Sequence, residues 1–239
     1  MTHSKSKKEN VRQMFDNIAP AYDFMNHFLS FSIDKVWRRK LRNQLKKQEP
    51  ETILDIATGT GDLAIELSKT KPKSIVGIDI SEKMLEYGKK KVIKKKLSHI
   101  ITLEQADCED LSFEDNSFDA ASIAFGIRNF EDPAKGLSEV FRVLKPGGMI
   151  YILEFGMPDK QPVKSIYKLY FNKILPFFGR MLSSDKKAYT YLPDSVGKFI
   201  HGDNFIQFLS NAGFKNNQFR KLSYGIAYLY YATKPNSQR

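Results

Sequence analysis

Residues 55–64 read DIATGTGDLA and lie where a short apolar run gives way to an amphipathic segment. The run TILDIA, which overlaps the start of this stretch, is typical of a buried strand, and GDLAIELSK at its end is typical of a helix. Gly59 and Gly61 permit a tight turn between the two and allow a ligand to approach the backbone. Because the first N–H groups of a helix attract carboxylates and phosphates, the stretch predicts a ligand-binding turn.

Short apolar runs alternate with amphipathic segments on both sides of this turn. The runs predict strands at 52–57, 74–80, 100–106, 118–125 and 148–155, and the segments predict helices at 61–69, 81–96 and 133–144. This alternation favours an α/β fold, in which a parallel sheet is covered by helices on both faces.

The end of the chain departs from this alternation. After a predicted helix at 203–212, the runs FKNNQFRKL and GIAYLYYAT are joined by Ser223-Tyr224-Gly225, which predicts a hairpin. We therefore expect a seven-stranded, mostly parallel sheet with one antiparallel strand near the C-terminus. The expected organisation is a single domain over residues 1–239, with a loose basic arm at 1–20 that leads into a helix and an aromatic-rich insertion at about 157–200.

The composition is that of a folded protein with an excess of positive charge. Of 239 residues 41% are hydrophobic, and 38 Lys and Arg against 27 Asp and Glu give a formal net charge of +11, which excludes an acidic disordered chain and a collagen. One cysteine, Cys108, excludes an internal disulfide and fits a reducing compartment. The sequence shows no signal-peptide pattern and no apolar run of about 18 residues. We therefore expect a cytoplasmic protein, with peripheral contact at the inner face of the membrane as a further option.

Six lysines are concentrated between residues 89 and 96. No aromatic residue separates them, as the stacking of bases would require, so no nucleic-acid partner is expected. The lysines are interpreted as the solvated face of a helix, with docking on an anionic lipid surface as the alternative.

The turn has two candidate cofactors. The spacing G-x-G-x-x-A from Gly59 fits a dinucleotide, and Asp79, twenty residues further on, can accept hydrogen bonds from ribose hydroxyls of either candidate. Asp55 favours S-adenosylmethionine, because a buried carboxylate would repel a pyrophosphate but is compensated by an ammonium or sulfonium cation. Asp107 follows the third strand and could accept from the adenine amino group, and the backbone of Cys108 could contact the adenine.

The motifs also support a resemblance to known proteins. DIATGTG, IDIS, DNSFD and LKPGG resemble those of class I S-adenosylmethionine-dependent methyltransferases, whose fold is Rossmann-like. A narrower resemblance, to the ubiquinone/menaquinone-biosynthesis C-methyltransferases, covers about residues 11 to 233 and rests on YDFMN, FGIRN, RVLKPGG, LEF and YTYL. Four residues depart from that family's pattern: Ser32, Asp34, Ala124 and Gly156. No role is assigned to Asp34, Ala124 or Gly156. The resemblance places cofactor contacts at Thr60, Asp79, Asp107 and Cys108.

The resemblance implies a reaction as well as a cofactor. The substrate would be a polyprenylated hydroquinone, methylated on a ring carbon: demethylmenaquinol in menaquinone biosynthesis or, as the alternative, a methoxybenzoquinol in ubiquinone biosynthesis. Such a transfer needs no metal, and the four histidines show no ligand spacing. An RNA methyltransferase is suggested by charge alone. A non-catalytic scaffold would be expected to have a broken cofactor loop, and this one is intact.

Three residues are candidates for catalysis. Arg128 follows the fourth strand, at the sheet edge where ligands bind, and its guanidinium could stabilise a phenolate. The alternative for Arg128 is a surface ion pair with Glu131 or Asp132. Tyr22 could cover the site or relay a proton, or be a core aromatic; Asn129 could orient the substrate or form a turn.

Residues 165–182 could serve the prenyl tail. Their apolar positions follow helical spacing: Ile166, Leu169, Tyr170, Ile174 and Phe177, widened by Phe171, Leu175 and Phe178. An aromatic-rich insertion flanked by lysines suits a lipid-like substrate at a membrane surface. Packing on the domain core, or a homodimer interface, is the alternative.

Overall fold

The computed structural model describes residues 6–30, 32–170 and 186–236. Its centre is one seven-stranded sheet with the strand order 3-2-1-4-5-7-6. The strands are β1 Thr52–Ile56, β2 Ser74–Asp79, β3 Ile101–Gln105, β4 Phe118–Ala124, β5 Leu144–Phe155, β6 Lys215–Leu222 and β7 Ala227–Thr233. The first five pair in parallel, and β7 is antiparallel to both β5 and β6. The predicted α/β fold and its closing hairpin are confirmed.

Helices connect the strands and cover the sheet. They are α1 Lys7–Leu29, α2 Ile33–Leu45, α3 Asp62–Leu67, α4 Glu82–Lys94, α5 Pro133–Val143, α6 Val163–Leu169, α7 Lys186–Lys198 and α8 Asp203–Asn211. Ser81 caps α4 as predicted, because its hydroxyl accepts from the backbone N–H of Met84 at 3.2 Å. Asp132 caps α5 in the same way, and Pro133 occupies the first helical position. Within the described residues, no helix is both long and apolar enough to cross a bilayer.

Both faces of the sheet are buried, as the parallel arrangement requires. Along β5, Ile150 and Ile152 pack on one face against α5 and α8, whereas Tyr151 and Leu153 pack on the other face with side chains of α2. This alternation follows from the two-residue period of a strand. The strand is longer than predicted, because it begins at Leu144 rather than at Gly148.

The basic N-terminal segment is helical from Lys7 to Leu29. It forms α1, a helix of 23 residues in which Val11 and Ala19 are buried, so the expectation of a loose arm over residues 1–20 is wrong for most of its length. A charged segment becomes a stable helix here because its apolar face is covered and its charges find partners on the sheet edge.

The aromatic-rich insertion is described in part. In α6, Ile166 and Leu169 are 63% and 51% exposed, while Tyr167 is buried against Met157, Leu192 and Ile226. The predicted apolar positions Phe171, Ile174, Leu175, Phe177 and Phe178 lie outside the described residues.

Candidate active site

The carboxyl ends of the central strands open onto a cleft of about 660 Å³, counting space that is open to solvent. Six residues predicted from the sequence line the cleft: Tyr22, Gly59, Asp79, Asp107, Cys108 and Asn129. Four other predicted residues are not part of its lining: Asp55, Thr60, Gly61 and Arg128.

The glycine-rich turn has the backbone conformation that its sequence predicts. Gly59 and Gly61 have φ values of 55° and 77°, in the left-handed region where a side chain is strained. The N–H of Gly59 donates to Asp79 Oδ2 at 2.8 Å, which joins the turn after β1 to the end of β2. The turn therefore presents backbone, rather than side chains, to the cleft.

Asp79 is held by two backbone donors. Besides Gly59, the N–H of Ser81 donates to its Oδ1 at 2.9 Å. Burial raises the pKa of Asp79 to about 6, although both hydrogen bonds favour the ionised form. Near neutral pH the residue therefore presents a carboxylate whose remaining lone pairs can accept from a ligand's hydroxyl groups.

Asp55 lies behind the turn rather than in the lining of the cleft. Its carboxylate accepts from Thr58 Oγ1 at 2.7 Å and from Ser122 Oγ at 2.6 Å, and burial raises its pKa to about 6. These bonds fix Thr58 within the turn. Direct contact between Asp55 and a cationic ligand stays a prediction.

Asp107 and Cys108 lie at the other end of the cleft, next to Glu109. Lys8 Nζ lies 2.5 Å from Asp107 Oδ2 and 3.1 Å from Glu109 Oε2, and the hydrogen bond to Asp107 is the main reason that the pKa of Lys8 is raised. Burial raises the pKa of the Cys108 thiol, which therefore stays protonated. The ligand atoms of the three residues lie within 4.8 Å of one another, so their geometry would permit a cation. That none is needed stays a prediction.

Helix α1 covers the cleft with several side chains, of which the sequence had indicated only Tyr22. Lys8, Val11, Phe15 and Tyr22 all line it. Their spacing of three, four and seven residues places them on one helical face, which is the signal that could have revealed the cover. The Ser81 hydroxyl donates to Asp16 at 2.6 Å and so joins α1 to the start of α4.

Lys91 anchors α1 to the glycine-rich turn. Its Nζ donates to Asp23 at 2.7 Å, to Asp62 at 2.5 Å and to Thr60 Oγ1 at 2.9 Å, and the Thr60 hydroxyl donates to Asp23 at 2.5 Å. The interpretation of the lysines as a solvated face is wrong for Lys91, which is 25% exposed in its side chain. The other five are exposed, as both the solvated-face interpretation and the lipid-docking alternative require: Lys89, Lys90, Lys94, Lys95 and Lys96.

Replacing Lys91 by glutamine is expected to weaken cofactor binding by about 3- to 10-fold, because α1 loses an ionic anchor beside Thr60. Lys94→Gln on the exposed face of the same helix is the matched control and is expected to leave the affinity unchanged. Calorimetric titration of both variants with S-adenosylmethionine measures the change in affinity. Equal effects of the two changes would show that Lys91 has no special role.

Lowering the pH from 7.5 to 5.5 is expected to weaken cofactor binding by up to about tenfold per pH unit below 6. The pKa of Asp79 is raised to about 6, so the carboxylate is present above that pH and is lost by protonation below it. The same protonation favours the ligand-free fold over the unfolded chain, so stability should not fall in parallel. Calorimetric titrations with S-adenosylmethionine at pH 7.5, 6.5 and 5.5 measure how steeply the affinity falls with pH. Persistence of the slope in Asp79→Asn would contradict this assignment.

Arg128 is buried beside the cleft, with its side chain 7% exposed. Its Nη1 donates to Glu154 Oε1 at 2.7 Å and to the carbonyl oxygen of Phe125 at 2.6 Å, and its Nε donates to Ser195 Oγ at 3.3 Å. The alternative of a surface ion pair with Glu131 or Asp132 is wrong, because the partner is a buried acid on the neighbouring strand. Glu154 and Ser195 were not identified from the sequence.

The other two catalytic candidates lie in the cleft. Burial raises the pKa of Tyr22 to about 12, so its phenol stays protonated near neutral pH. The side-chain oxygen of Asn129 accepts from the hydroxyl of Tyr191 at 3.0 Å, which ties the loop after β4 to α7. The roles of both residues remain predictions.

The fold and the cleft together define the class of protein. A sheet of order 3-2-1-4-5-7-6, with a glycine-rich turn after β1 and an acid at the end of β2, is the arrangement of the class I S-adenosylmethionine-dependent methyltransferases. Solved structures share this fold. The cyclase SpnF matches with a TM-score of 0.69 over 98% of both chains at 16% identity. A SAM dependent methyltransferase from Aquifex aeolicus matches with 0.56 over 80% of this chain and 88% of its own, at 21% identity.

Sequence comparison identifies the family. The chain belongs to the ubiE/COQ5 methyltransferase family, whose model matches residues 1–234. A Bacteroides fragilis relative named demethylmenaquinone methyltransferase is 51% identical over 95% of this chain and 94% of its own length. A Geotalea daltonii relative named ubiquinone/menaquinone biosynthesis C-methyltransferase is 47% identical over 95% and 97%. The resemblance inferred from the motifs is confirmed.

Proposed function

We propose that this protein transfers the methyl group of S-adenosylmethionine to a ring carbon of demethylmenaquinol, a polyprenylated hydroquinone. The observation that carries the proposal is Arg128, because a buried and anchored guanidinium at the end of β4 would stabilise the phenolate form of a quinol. The name of the Bacteroides fragilis relative supports the same substrate.

The methyl donor is expected to bind beneath α1. Asp79 would accept hydrogen bonds from the ribose hydroxyls, and Asp107 and Cys108 would contact the adenine. The backbone of the turn at Gly59–Gly61 would lie against the carboxylate end, since its glycines permit close approach. Because Lys8 lies against Asp107, the adenine amino group would share or take over that carboxylate.

Bound S-adenosylmethionine supplies an electrophilic methyl group. Arg128 would hold the hydroxyl oxygen of the quinol and lower its pKa, so that loss of the phenol proton places negative charge on the adjacent ring carbon. That carbon would then attack the methyl group in line while the sulfur–methyl bond breaks and S-adenosylhomocysteine leaves. Loss of the ring proton to water would restore the aromatic hydroquinol. Tyr22, protonated near neutral pH, would serve as a wall or a hydrogen-bond donor rather than as a base. Asn129, held by Tyr191, would orient the ring.

The prenyl tail would leave the site along the insertion. Ile166 and Leu169 expose apolar surface on α6, and Lys160 and Lys164 supply positive charge beside them. This combination suits peripheral contact with an anionic membrane surface, from which the quinol would be drawn. A soluble short-tail quinol would bypass that contact.

A turnover assay with two reduced quinones tests the proposal. We expect methylation of demethylmenaquinol with a higher kcat/KM than that of a polyprenyl methoxybenzoquinol, read by mass spectrometry of the quinone products. Cells that lack the gene should accumulate demethylmenaquinone. Preference for the benzoquinol would favour the ubiquinone pathway, and methylation of neither quinol would overturn the proposal.

A further inference from the structure

Glu154 is a buried acid whose two oxygens differ. The residue lies at the carboxyl end of β5 and is 1% exposed. Its Oε1 accepts from Arg128 Nη1 at 2.7 Å and from the backbone N–H of Phe155 at 2.8 Å. Its Oε2 is buried and has no hydrogen-bond partner among the described residues. A buried oxygen without a partner costs stability, so this arrangement needs a reason other than folding.

The contacts of Arg128 supply that reason. Nη1 is occupied twice, by Glu154 and by the carbonyl oxygen of Phe125, and Nε is occupied by Ser195. Nη2 makes no hydrogen bond within the described part of the chain. The guanidinium group is thus fixed through Nη1 and Nε, and Nη2 is the donor that remains for a ligand. Because Phe125 lines the cleft, a guanidinium anchored to its carbonyl lies next to the site.

We propose that Glu154 is a positioning residue for methyl transfer: it holds Arg128 by Nη1 and so directs Nη2 at the hydroxyl oxygen of the quinol. This inference rests on the proposed function. It assigns no contact with the substrate to Glu154, which acts through the guanidinium group.

A purely structural ion pair explains these contacts less well. A buried ion pair can often be replaced by hydrophobic residues without loss of stability, so burial alone gives no reason for it. Burial also raises the pKa of Glu154 despite the neighbouring Arg128. Four phenols interact electrostatically with one or both members of the pair: Tyr22, Tyr167, Tyr191 and Tyr230. Glu154 is therefore a costly anchor for Arg128.

A double-mutant cycle with Arg128→Gln distinguishes a positioning role of Glu154 from a purely structural ion pair. Glu154→Gln keeps the size and an acceptor oxygen but removes the charge, and we expect it to lower kcat on a short-tail demethylmenaquinol by about 10- to 100-fold. The Kd of S-adenosylmethionine should stay within about twofold, and KM for the quinol should change less than kcat. In the Arg128→Gln background the same change should cause no further loss, because residues that act as a unit are not additive.

Two more variants make the outcome decisive. Glu154→Asp keeps the charge and should restore part of the lost kcat, and it replaces Glu154→Gln if that variant fails to fold. Asp119→Asn is the control and should leave kcat unchanged. Asp119 lies at the opposite end of β4 from the cleft, where it pairs with Lys145 of β5. Wild-type kcat in Glu154→Gln, or additive losses in the cycle, would overturn the inference. Failure of the wild-type protein to methylate the quinol would instead overturn the proposed function.

Discussion

Replacing Arg128 by glutamine is expected to lower kcat on demethylmenaquinol by about 10²- to 10³-fold while the Kd of S-adenosylmethionine stays within about twofold. This is the usual loss when one preorganised donor to a developing oxyanion is removed. The donor is preorganised here because Nη1 and Nε are already bonded to protein groups. Steady-state kinetics and calorimetry on the same preparations measure both quantities.

The charge and the shape of Arg128 can be tested separately. Arg128→Lys keeps a cation but loses the planar fork, so it should also lose most of the activity. Raising the pH should partly restore Arg128→Gln, since hydroxide then produces the phenolate that the enzyme no longer promotes. Near-full turnover of Arg128→Gln at neutral pH would show that Arg128 is only structural.

Stability must be measured beside the activity of these variants. Arg128→Gln leaves Glu154 buried without its cation, a change that costs about 3–5 kcal/mol when the remaining group stays charged. Because burial already raises the pKa of Glu154, protonation should reduce that cost. Arg142→Gln is the control: Arg142 is bonded to Glu139 and Asp115, and it does not line the cleft. Denaturant unfolding at the assay pH separates lost stability from lost chemistry.

Replacing Asp79 by alanine is expected to weaken S-adenosylmethionine binding by about 10²-fold or more, with no binding of NAD in its place. The carboxylate accepts from the N–H groups of Gly59 and Ser81, and a hydrogen bond to a charged group contributes about 1.5–3 kcal/mol. Its loss releases the turn and also removes the acceptor for the ribose hydroxyls. The effect therefore combines binding and preorganisation.

Calorimetric titration with both cofactors tests the Asp79 prediction. Asp79→Asn keeps one acceptor oxygen and should lose less affinity than the alanine variant, and its binding should no longer depend on pH near 6. Asp115→Ala, which removes an exposed acid outside the cleft lining, is the control. Unchanged affinity in Asp79→Ala, or tighter binding of NAD than of S-adenosylmethionine by the wild-type protein, would contradict the assignment.

Some of the site was predictable because its signals are local. Gly59 and Asp79 were identified from a turn and a strand end, and the fold places both in the cleft lining. Asp107, Cys108 and Asn129 follow strands in the same way. In a parallel sheet all such positions come to one edge, so a correct list of strands already brings these residues together.

The rest depends on partners that are far apart in the chain. Lys91 pairs with Asp23, 68 residues away, and Arg128 with Glu154, 26 residues away. Nothing in a run of lysines distinguishes the one that faces a carboxylate from its solvated neighbours. Likewise, no local pattern marks Glu154 as the partner of Arg128, because the two residues meet only once β4 pairs with β5 and brings the turn after β4 to the end of β5.

The sequence by itself determined the strand–helix order, the closing hairpin and the cofactor turn. These follow from hydrophobic periodicity and from glycine, which act over a few residues. Only the tertiary structure decided that α1 covers the cleft, that Lys91 anchors it and that Arg128 is buried against Glu154. Each of these depends on which charges meet once the helices pack on the sheet. Burial then makes each buried charge costly to desolvate, and it raises the pKa of Asp79 and of Glu154.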